Sequence, residues 1–508
     1  MKLLNILFRF IFSRTTIFIV AILFQIYVYA GLYMFFYEYL AYFYILFVIV
    51  GFITIIELLN DEQNPMFKIS WILLILSFPV FGILTYILLN YQITAKEMKK
   101  RIINRKKYEK KFLIQDDDVL KKIDSKKIYN LTSYLYNHGG YPAYEGGITK
   151  YYNSGELWFK DYIKYLKDAK EYIFMEYFII GYGKFWDTVF EVLKDKVKEG
   201  VEVYILYDGT CEISLSPHNF SKTMQSFGIK CKPFYKVIPL LSTYQNNRDH
   251  RKITVIDGKV AFVGGTNISD EYINEYKRFG YWKDATIRVE GKAVKTFTTL
   301  FLSMWEVDEK KNIDYNKYVR ENEDNNNGIV VPFGDIPHDG EEVSKKVYMD
   351  LINRTNDKVS IMTPYLILDY EFLSALKYAA QRGVEVNLIV PHIPDKWYVY
   401  ILARSYYHEL LTAGINIYEF TPGFVHSKVI VSDKDEAVVG SINLDYRSFY
   451  LHFEAGIYLY NNSEIVNITK DIEETIKVST KITIEENKKY NKFKKVLGRI
   501  FRLFAPLM

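Results

Sequence analysis

Two copies of one residue pattern are the part of this sequence best suited to chemistry. The pattern is His-x-Lys-x4-Asp-x6-Gly-x2-Asn, and it begins at His250 and again at His426. A single His-x-Lys pair would most simply be a partly exposed strand with a hydrogen-bonded histidine. Chance gives one full match on the order of once in ten thousand chains of this composition, and two matches far more rarely. We therefore interpret the copies as one site encoded twice.

The residue types in the pattern favour a phosphate site. Histidine and lysine two positions apart on a strand face the same side, so an imidazole and an ammonium group face one pocket. Glycine turns let backbone N–H groups approach an anion, and asparagine adds amide donors. Lysine and asparagine with no cysteine or second histidine nearby argue against a metal, because an ammonium group repels cations. We also predict no cofactor, since the nucleotide-binding Gly-x4-Gly-Lys loop is absent.

A phosphorus atom held between two histidines suggests covalent catalysis. One histidine would attack phosphorus, and the other would protonate the departing alcohol and then deprotonate the incoming one. The spacing does not decide which histidine has which role. The residues expected to bind the phosphate oxygens are Lys252, Lys428, Asn267 and Asn443, with Ser441 as an extra hydroxyl where the first copy has Gly265.

The doubled pattern and its flanking residues resemble the phospholipase D superfamily and, within it, the bacterial cardiolipin synthase family. The flanking residues that carry the resemblance are 264–272 and 282–284 after the first copy, and 447–449 and 453–454 after the second. The resemblance implies that His250 is the nucleophile and His426 the acid and base. It also implies that Asp284 and Glu454 orient the two histidines.

Asp257 and Asp433 complete the family's motif and are counted here with the catalytic residues. Each stands at a strand end, so a bracing role is about equally expected. Glu176 and Tyr365 are weaker candidates, for which a salt bridge and simple packing are the expected roles.

The resemblance further implies an activity and its partners. The expected enzyme is a membrane-bound phosphatidyltransferase that condenses two phosphatidylglycerol molecules into cardiolipin and glycerol through a phosphohistidine. Its partners would be phosphatidylglycerol and anionic membrane lipid, without nucleic acid. A phospholipase D-type hydrolase, or a transferase using another acceptor alcohol, is the alternative. The oligomeric state stays open.

The elements around the motif are also duplicated. Gly-Val-Glu-Val occurs at 200–203 and 383–386, ahead of His250 and His426 respectively, and strands alternate with helices in both halves. This order predicts an α/β fold of two duplicated phospholipase D-type domains, with mixed sheets flanked by helices and a pseudo-twofold relation. We place the domains at 128–311 and 330–480, joined by a polar linker at 312–329.

Membrane segments are predicted at the N-terminus. Within residues 1–90, the apolar runs 15–36, 40–56 and 69–89 each approach the roughly 20 residues that span a bilayer. The basic linker 91–127 favours catalytic domains on the cytoplasmic side of a bacterial cell membrane, anchored by several spans. The N-terminus is basic as well, which conflicts with three full spans; either one run is re-entrant, or the weaker N-terminal charge signal is overruled.

The C-terminal tail, 481–508, is predicted to be a basic amphipathic helix. One helical face would carry Phe493, Val496, Leu497, Ile500, Phe501 and Phe504, and lysines and arginines fill the rest. Docking on the domain is possible, but the cations favour a helix that lies on anionic lipid. The net charge of +5 says little by itself, and Cys211 and Cys231 are expected to be reduced.

Overall fold

A computed structural model of the chain describes residues 39–61, 64–90, 93–214, 219–235, 246–309, 313–323, 326–337 and 339–507, with a few isolated positions before residue 39. The chain divides into two units. The first comprises Met1–Glu97, Val237–Asn246 and Ile500–Met508, and the second comprises Met98–Lys236 and Asn247–Arg499.

The first unit contains three apolar helices, Leu40–Asn60, Pro65–Ser77 and Pro79–Asn90. In the described part of the chain, one helix, over Ala41–Asn60, is long and apolar enough to cross a membrane. It contains nearly all of the predicted run 40–56. The predicted run 15–36 lies outside the continuously described residues.

The predicted third span, 69–89, is wrong as a single helix. One helix ends at Ser77 and the next begins at Pro79, because proline has no N–H and its ring disrupts the preceding turn. The two helices fold back on each other closely, since a Cβ atom at Gly82 would lie 2.7 Å from the Cα of Ile75. The run therefore forms a helical hairpin. Each of its two helices is shorter than the roughly 20 residues that span a bilayer.

The second unit contains both copies of the motif and is called the catalytic unit. Its first half is built on a seven-stranded mixed sheet. In chain order, the strands of this half are β1 (Tyr144–Glu145), β2 (Thr149–Tyr152), β3 (Tyr172–Tyr177), β4 (Glu202–Asp208), β5 (Lys230–Phe234), β6 (Arg248–Asp249), β7 (Lys252–Ile256), β8 (Val260–Gly264), β9 (Tyr281–Lys283) and β10 (Thr286–Glu290). The sheet order is β2-β10-β8-β7-β3-β4-β5, in which β3, β4 and β5 are parallel. Its flanking helices are Gly155–Asp168, Lys184–Lys198, Cys211–Ser214, Phe220–Ser226 and Val294–Glu306.

The second half repeats this arrangement. Its strands are β11 (Ile329–Asp335), β12 (Lys358–Met362), β13 (Glu385–Pro391), β14 (Asn416–Phe420), β15 (Gly423–Val425), β16 (Val429–Ser432), β17 (Glu436–Gly440), β18 (His452–Tyr460) and β19 (Ser479–Ile482). They run β11-β18-β17-β16-β12-β13-β14-β19, which matches the first sheet strand for strand apart from the added β19. Its helices are Val343–Arg354, Tyr370–Gln381, Trp397–Thr412, Tyr446–Tyr450, Glu464–Lys477 and Ile484–Lys489. Two mixed α/β domains are thereby confirmed, and the pseudo-twofold axis between them stays a prediction.

Three strand pairings join the halves. β1 pairs with β11 at the edge of the second sheet, β6 pairs in parallel with β18, and β9 pairs in parallel with β15. The last two matter most for the site. They place the segment before each histidine beside the segment of the other half that carries a predicted carboxylate.

The predicted basic linker is helical, over Ile93–Glu109 and Asp117–Lys121. Ile102 and Leu113 are buried, and the guanidinium of Arg105 lies 2.9 Å from Glu306. From residue 98 onward this segment is therefore part of the folded catalytic unit, not an extended tether.

Candidate active site

His250 stands between β6 and β7 and is oriented by a carboxylate of the other half. Its backbone N–H donates to the carbonyl of Phe453, at 3.0 Å. Its Nδ1 lies 2.9 and 3.0 Å from the two carboxylate oxygens of Glu454. Because a carboxylate accepts hydrogen bonds, we assign the imidazole proton to Nδ1. The Nε2 lone pair is then available for attack.

His426 shows the reciprocal arrangement. Its backbone N–H donates to the carbonyl of Lys283 at 2.6 Å, and its Nδ1 lies 2.7 Å from Asp284. Asp284 belongs to the first half, directly after β9. Each histidine is thus oriented by the carboxylate of the opposite half. The sequence predicted both carboxylates but not this crossed pairing.

The two lysines of the motif complete a buried cationic site. Lys252 donates to the carbonyl of His250, and Lys428 donates to that of His426. Burial and then the charges of Lys252 and Lys428 lower the pKa of His250 well below its ordinary value. His426 acts on His250 in the same direction, so side chains of both motif copies influence one ring.

Burial also disfavours charge on the other motif residues. It lowers the pKa of Lys252 to about 7 and that of Lys428 to about 8, against the opposing charges of Glu454 and Asp284 respectively. Burial and the charge of Lys428 lower the pKa of His426 to about 4. All four bases therefore hold their protons weakly. A bound anion would reverse this effect, so the site is electrostatically suited to a phosphate diester.

Asp257 and Asp433 bind backbone N–H groups, and a catalytic role for them stays a prediction. Asp257 accepts three backbone N–H bonds of 2.7 to 2.8 Å at the start of β3. Asp433 accepts three of 2.7 to 3.0 Å at the start of β12. Each aspartate follows the strand that begins near the motif lysine, so it stands at the opposite strand end. Its carboxylate therefore braces the sheet at the end away from the motif lysine.

Ser441 supports Glu454, and its contact with a phosphate stays a prediction. Its hydroxyl donates to Glu454, and the N–H of Ala455 donates to that hydroxyl at 3.0 Å. At the equivalent Gly265, a Cβ would lie 2.2 Å from Oδ1 of Asp284, so a side chain there would displace that carboxylate. The Gly–Ser difference between the copies therefore follows from the two carboxylates.

The two motif asparagines have different hydrogen-bonding surroundings. Asn267 is already used, since its Oδ1 accepts from the N–H of Ile179 at 3.0 Å and its Nδ2 donates to the Tyr272 hydroxyl at 2.8 Å. Asn443 is buried, and its Oδ1 has no hydrogen-bond partner among the described residues. Asn267 thus contacts Tyr272, and the phosphate contact stays a prediction for both asparagines.

Sequence reasoning missed the rings around the two histidines. Trp282 and Tyr272 lie beside His426, with ring centroids 5.1 and 5.4 Å away. His452 lies beside His250, with centroids 5.2 Å apart. Trp282 and His452 each precede a predicted carboxylate by two positions on an extended segment, which would have indicated the same face.

Glu176 and Tyr365 have structural partners. Glu176 is fully buried with its Oε1 3.6 Å from the guanidinium of Arg251, and burial raises its pKa to about 7. The Tyr365 hydroxyl donates to Asp395 at 2.6 Å. These contacts agree with the salt-bridge and packing roles expected for them.

One cluster of metal-ligand types occurs within the described ranges of the chain. It consists of His250, His452 and Glu454, whose donor atoms lie within 4.8 Å of one another. The ammonium groups of Lys252 and Lys428 beside it disfavour a cation, so no metal role follows from the cluster.

The fold and the site define the class of protein: a duplicated α/β enzyme of the phospholipase D type. The family model described as "Cardiolipin synthase, PLD-like domain" matches residues 162–305 and 348–477, and the model described as "Phospholipase_D-nuclease N-terminal" matches residues 42–89. The chain belongs to the cardiolipin synthase, PLD-like family, and it is an enzyme of the phospholipase D superfamily.

Its relatives are similar over nearly their whole length. An uncharacterized protein of Streptococcus mutans is 43% identical over 459 residues, which cover 90% of this chain and 99% of the relative. A cardiolipin synthase of Alkalihalophilus pseudofirmus is 33% identical, over 88% of this chain and 90% of the relative. Among solved structures, phosphatidylserine synthase of Haemophilus influenzae has a TM-score of 0.58 at 14% identity, over 75% of this chain and 98% of that chain, which supports the fold.

Proposed function

We propose that this enzyme transfers a phosphatidyl group from one phosphatidylglycerol to another, giving cardiolipin and glycerol. The observation that carries the proposal is the pair of buried histidines, each held through Nδ1 by a carboxylate of the opposite half. Relatives named cardiolipin synthase, at 33% identity over most of the chain, support the choice of lipid.

The reaction would proceed in two displacements. Nε2 of His250 attacks phosphorus, the bond from phosphorus to the headgroup glycerol oxygen breaks, and His426 gives its proton to that oxygen. The hydroxyl of a second phosphatidylglycerol then loses its proton to His426, and its oxygen attacks phosphorus. The N–P bond breaks and His250 returns to its neutral state. One glycerol is released for each cardiolipin formed.

Electrostatics would drive both displacements. The non-bridging oxygens would be held by Lys252 and Lys428, whose charge burial disfavours until an anion arrives. The same anion would raise the pKa of His426 from its low value, so this histidine gains its proton when substrate binds. Glu454 would stabilise the positive charge that develops on the His250 ring during attack.

We propose further that the protein is a multi-pass protein of the bacterial cell membrane with the catalytic unit on the cytoplasmic side. Helix Leu40–Asn60 and the hairpin after it supply apolar surface. The helix Lys492–Leu503 also leaves Phe493 75% exposed and Val496 54% exposed among basic residues, as suits contact with anionic lipid.

The test uses the purified full chain in detergent with phosphatidylglycerol as the only lipid. Equal amounts of cardiolipin and glycerol, formed without nucleotide, are expected. Phosphatidic acid as the main product would show hydrolysis instead and would refute the transferase. His250→Ala and His426→Ala should each lower turnover by several orders of magnitude. His392→Ala is the matched control, because His392 also bonds a carboxylate, Glu419, at 2.8 Å, but lies outside the site.

The roles of the two histidines need a separate experiment. A phosphatidyl donor with a nitrophenol leaving group requires no proton for departure, so His426→Ala should still form a phosphatidyl-enzyme. His250→Ala should form none. Labelling of His250→Ala, with loss of labelling in His426→Ala, would exchange the two roles.

A further inference from the structure

His452 is a third imidazole in this site. It begins β18, and its backbone pairs with Arg248 of β6, two residues before His250. Its ring centroid lies 5.2 Å from that of His250, at an interplanar angle of 35°. Only 9% of His452 is exposed. The strand pairing therefore fixes a buried imidazole beside the proposed nucleophile.

The equivalent position in the first half carries a different ring. Trp282 precedes Asp284 by two positions, as His452 precedes Glu454, and it lies 5.1 Å from His426 at 42°. The two rings flank their histidines at similar distances. The ring in the first half is an indole, and the ring in the second half is an imidazole with two nitrogen atoms. Either ring could fill the space beside its histidine, so packing alone does not explain a histidine at position 452.

The polar atom of His452 that faces Glu454 is unpartnered. Nδ1 is buried, and within the described part of the chain it has no hydrogen-bond partner. The nearest carboxylate oxygen, Oε1 of Glu454, is 3.7 Å away. A lone pair pointing toward a carboxylate would be repelled, so the favoured tautomer carries its proton on Nδ1. The N–H then points at Glu454 from just beyond hydrogen-bonding distance.

Glu454 is a shared acceptor on which this N–H can act. It already accepts from His250 through both oxygens, from the Ser441 hydroxyl, and from the Ser448 hydroxyl at 2.7 Å. Attack on phosphorus replaces a contact of about 3–3.5 Å by a covalent bond. The His250 ring or the lipid must therefore move, and a movement of the ring would change its hydrogen bonds to Glu454.

We infer that His452 is a positioning residue, whose Nδ1–H donates to Glu454 and holds that carboxylate in place while His250 forms and breaks its bond to phosphorus. The inference rests on the proposed function. Nδ1 of His452 lies 3.7 Å from Oε1 of Glu454. A displacement below 1 Å would bring Nδ1 into ordinary hydrogen-bonding range. Burial, against the raising effect of Glu454, and the charge of His250 lower the pKa of His452 to about 3, so it supplies this bond without adding positive charge beside the nucleophile.

Two substitutions separate hydrogen bonding from packing. His452→Phe keeps a ring of similar size and removes the N–H, whereas His452→Asn loses the ring but keeps an amide donor near the position of Nδ1. We expect His452→Phe to lower kcat by about 10–100-fold with little change in KM, as is usual when a group that orients a functional side chain is removed. His452→Asn should lose less than about threefold. His392→Phe is the control for replacing a histidine elsewhere.

A second readout does not depend on activity. Histidine-selective ¹⁵N NMR of the full chain in detergent should show His452 protonated on Nδ1. His452→Phe, but not His452→Asn, should shift the Nδ1 proton resonance of His250. Wild-type kcat in His452→Phe, equal losses in both variants, or a proton on Nε2 of His452 would overturn the inference. A wild-type enzyme that makes no transfer product would instead refute the proposed function, and the NMR result would still decide the role of His452.

Discussion

Lys252 and Lys428 are ammonium groups in a place where burial opposes their charge. Their pKa values, about 7 and about 8, lie far below the ordinary value for lysine, and the two histidines are also held neutral. Each of these bases therefore holds its proton weakly, and a bound anion would strengthen that hold. This arrangement makes substrate binding and protonation one linked event at the level of single residues.

The first prediction concerns pH. Because Lys252 and Lys428 have lowered pKa values, each is charged below that value and becomes neutral as pH rises through it. We expect kcat/KM, which reports the free enzyme, to fall as pH rises above about 7 to 8. The fall in kcat should come at higher pH, since a bound diester stabilises both charges. Activity that is flat from pH 7 to 9.5 in both parameters would contradict this account.

The second prediction separates an aspartate that orients a histidine from one that binds the backbone. Asp284→Asn should lower kcat by at least about 100-fold with little loss of stability, because it removes the charge that orients His426. Asp257→Asn should lower the thermal unfolding midpoint and leave kcat within about tenfold, because it weakens three backbone contacts at β3. Paired assays of turnover and thermal unfolding check both outcomes. A reversed pattern would support a catalytic role for Asp257.

At the scale of elements, short strands do more for the site than the large sheets do. β6 and β9 contain two and three residues, yet their pairings with β18 and β15 place each carboxylate beside the opposite histidine. The helix Lys492–Leu503 packs closely against a neighbouring helix at one residue. Gly498 contacts the helix Trp397–Thr412, and a Cβ there would lie 2.8 Å from the Ile401 carbonyl oxygen.

The third prediction concerns that C-terminal helix. Replacing the exposed Phe493 and Val496 by serine should weaken binding of the catalytic unit to vesicles rich in phosphatidylglycerol, since these side chains are largely exposed. Turnover of detergent-dispersed lipid should change by less than about twofold, because neither residue lies in the site. Exposed Val466 on another helix, replaced by serine, is the matched control. Equal vesicle binding by all three proteins would favour a helix that serves only to dock.

At the scale of the whole molecule, the two halves of the catalytic unit share one site. Neither half holds a complete set of groups, since His250 needs Glu454 and His426 needs Asp284. The halves are joined by three strand pairings in addition to the polar segment between them. Covalent continuity of the chain is therefore less important to activity than these pairings.

The fourth prediction tests this point. A protease site placed in the segment 321–326 should allow cleavage between the halves with retention of at least about half of the activity, because the paired strands and shared side chains keep the halves together. Gel filtration after cleavage should show one particle. Separation of the fragments without denaturant, with loss of activity, would mean that the interface is weaker than the pairings indicate.

The sequence by itself determined the repeated chemistry of this protein: two His-Lys pairs, the apolar strands that carry them and the repeated α/β order, because these depend on local spacing and strand periodicity. Only the tertiary structure decided the crossed carboxylates, since the pairings of β6 with β18 and β9 with β15 join residues about 140 to 200 positions apart. It also placed His452, absent from the motif, beside His250, and it placed Asp257, which is in the motif, at the far strand end. Pro79 by itself indicates a helix break, but the close contact of the two helices at Gly82 depends on packing. Local patterns specify which groups are present, and long-range strand pairing specifies which of them meet.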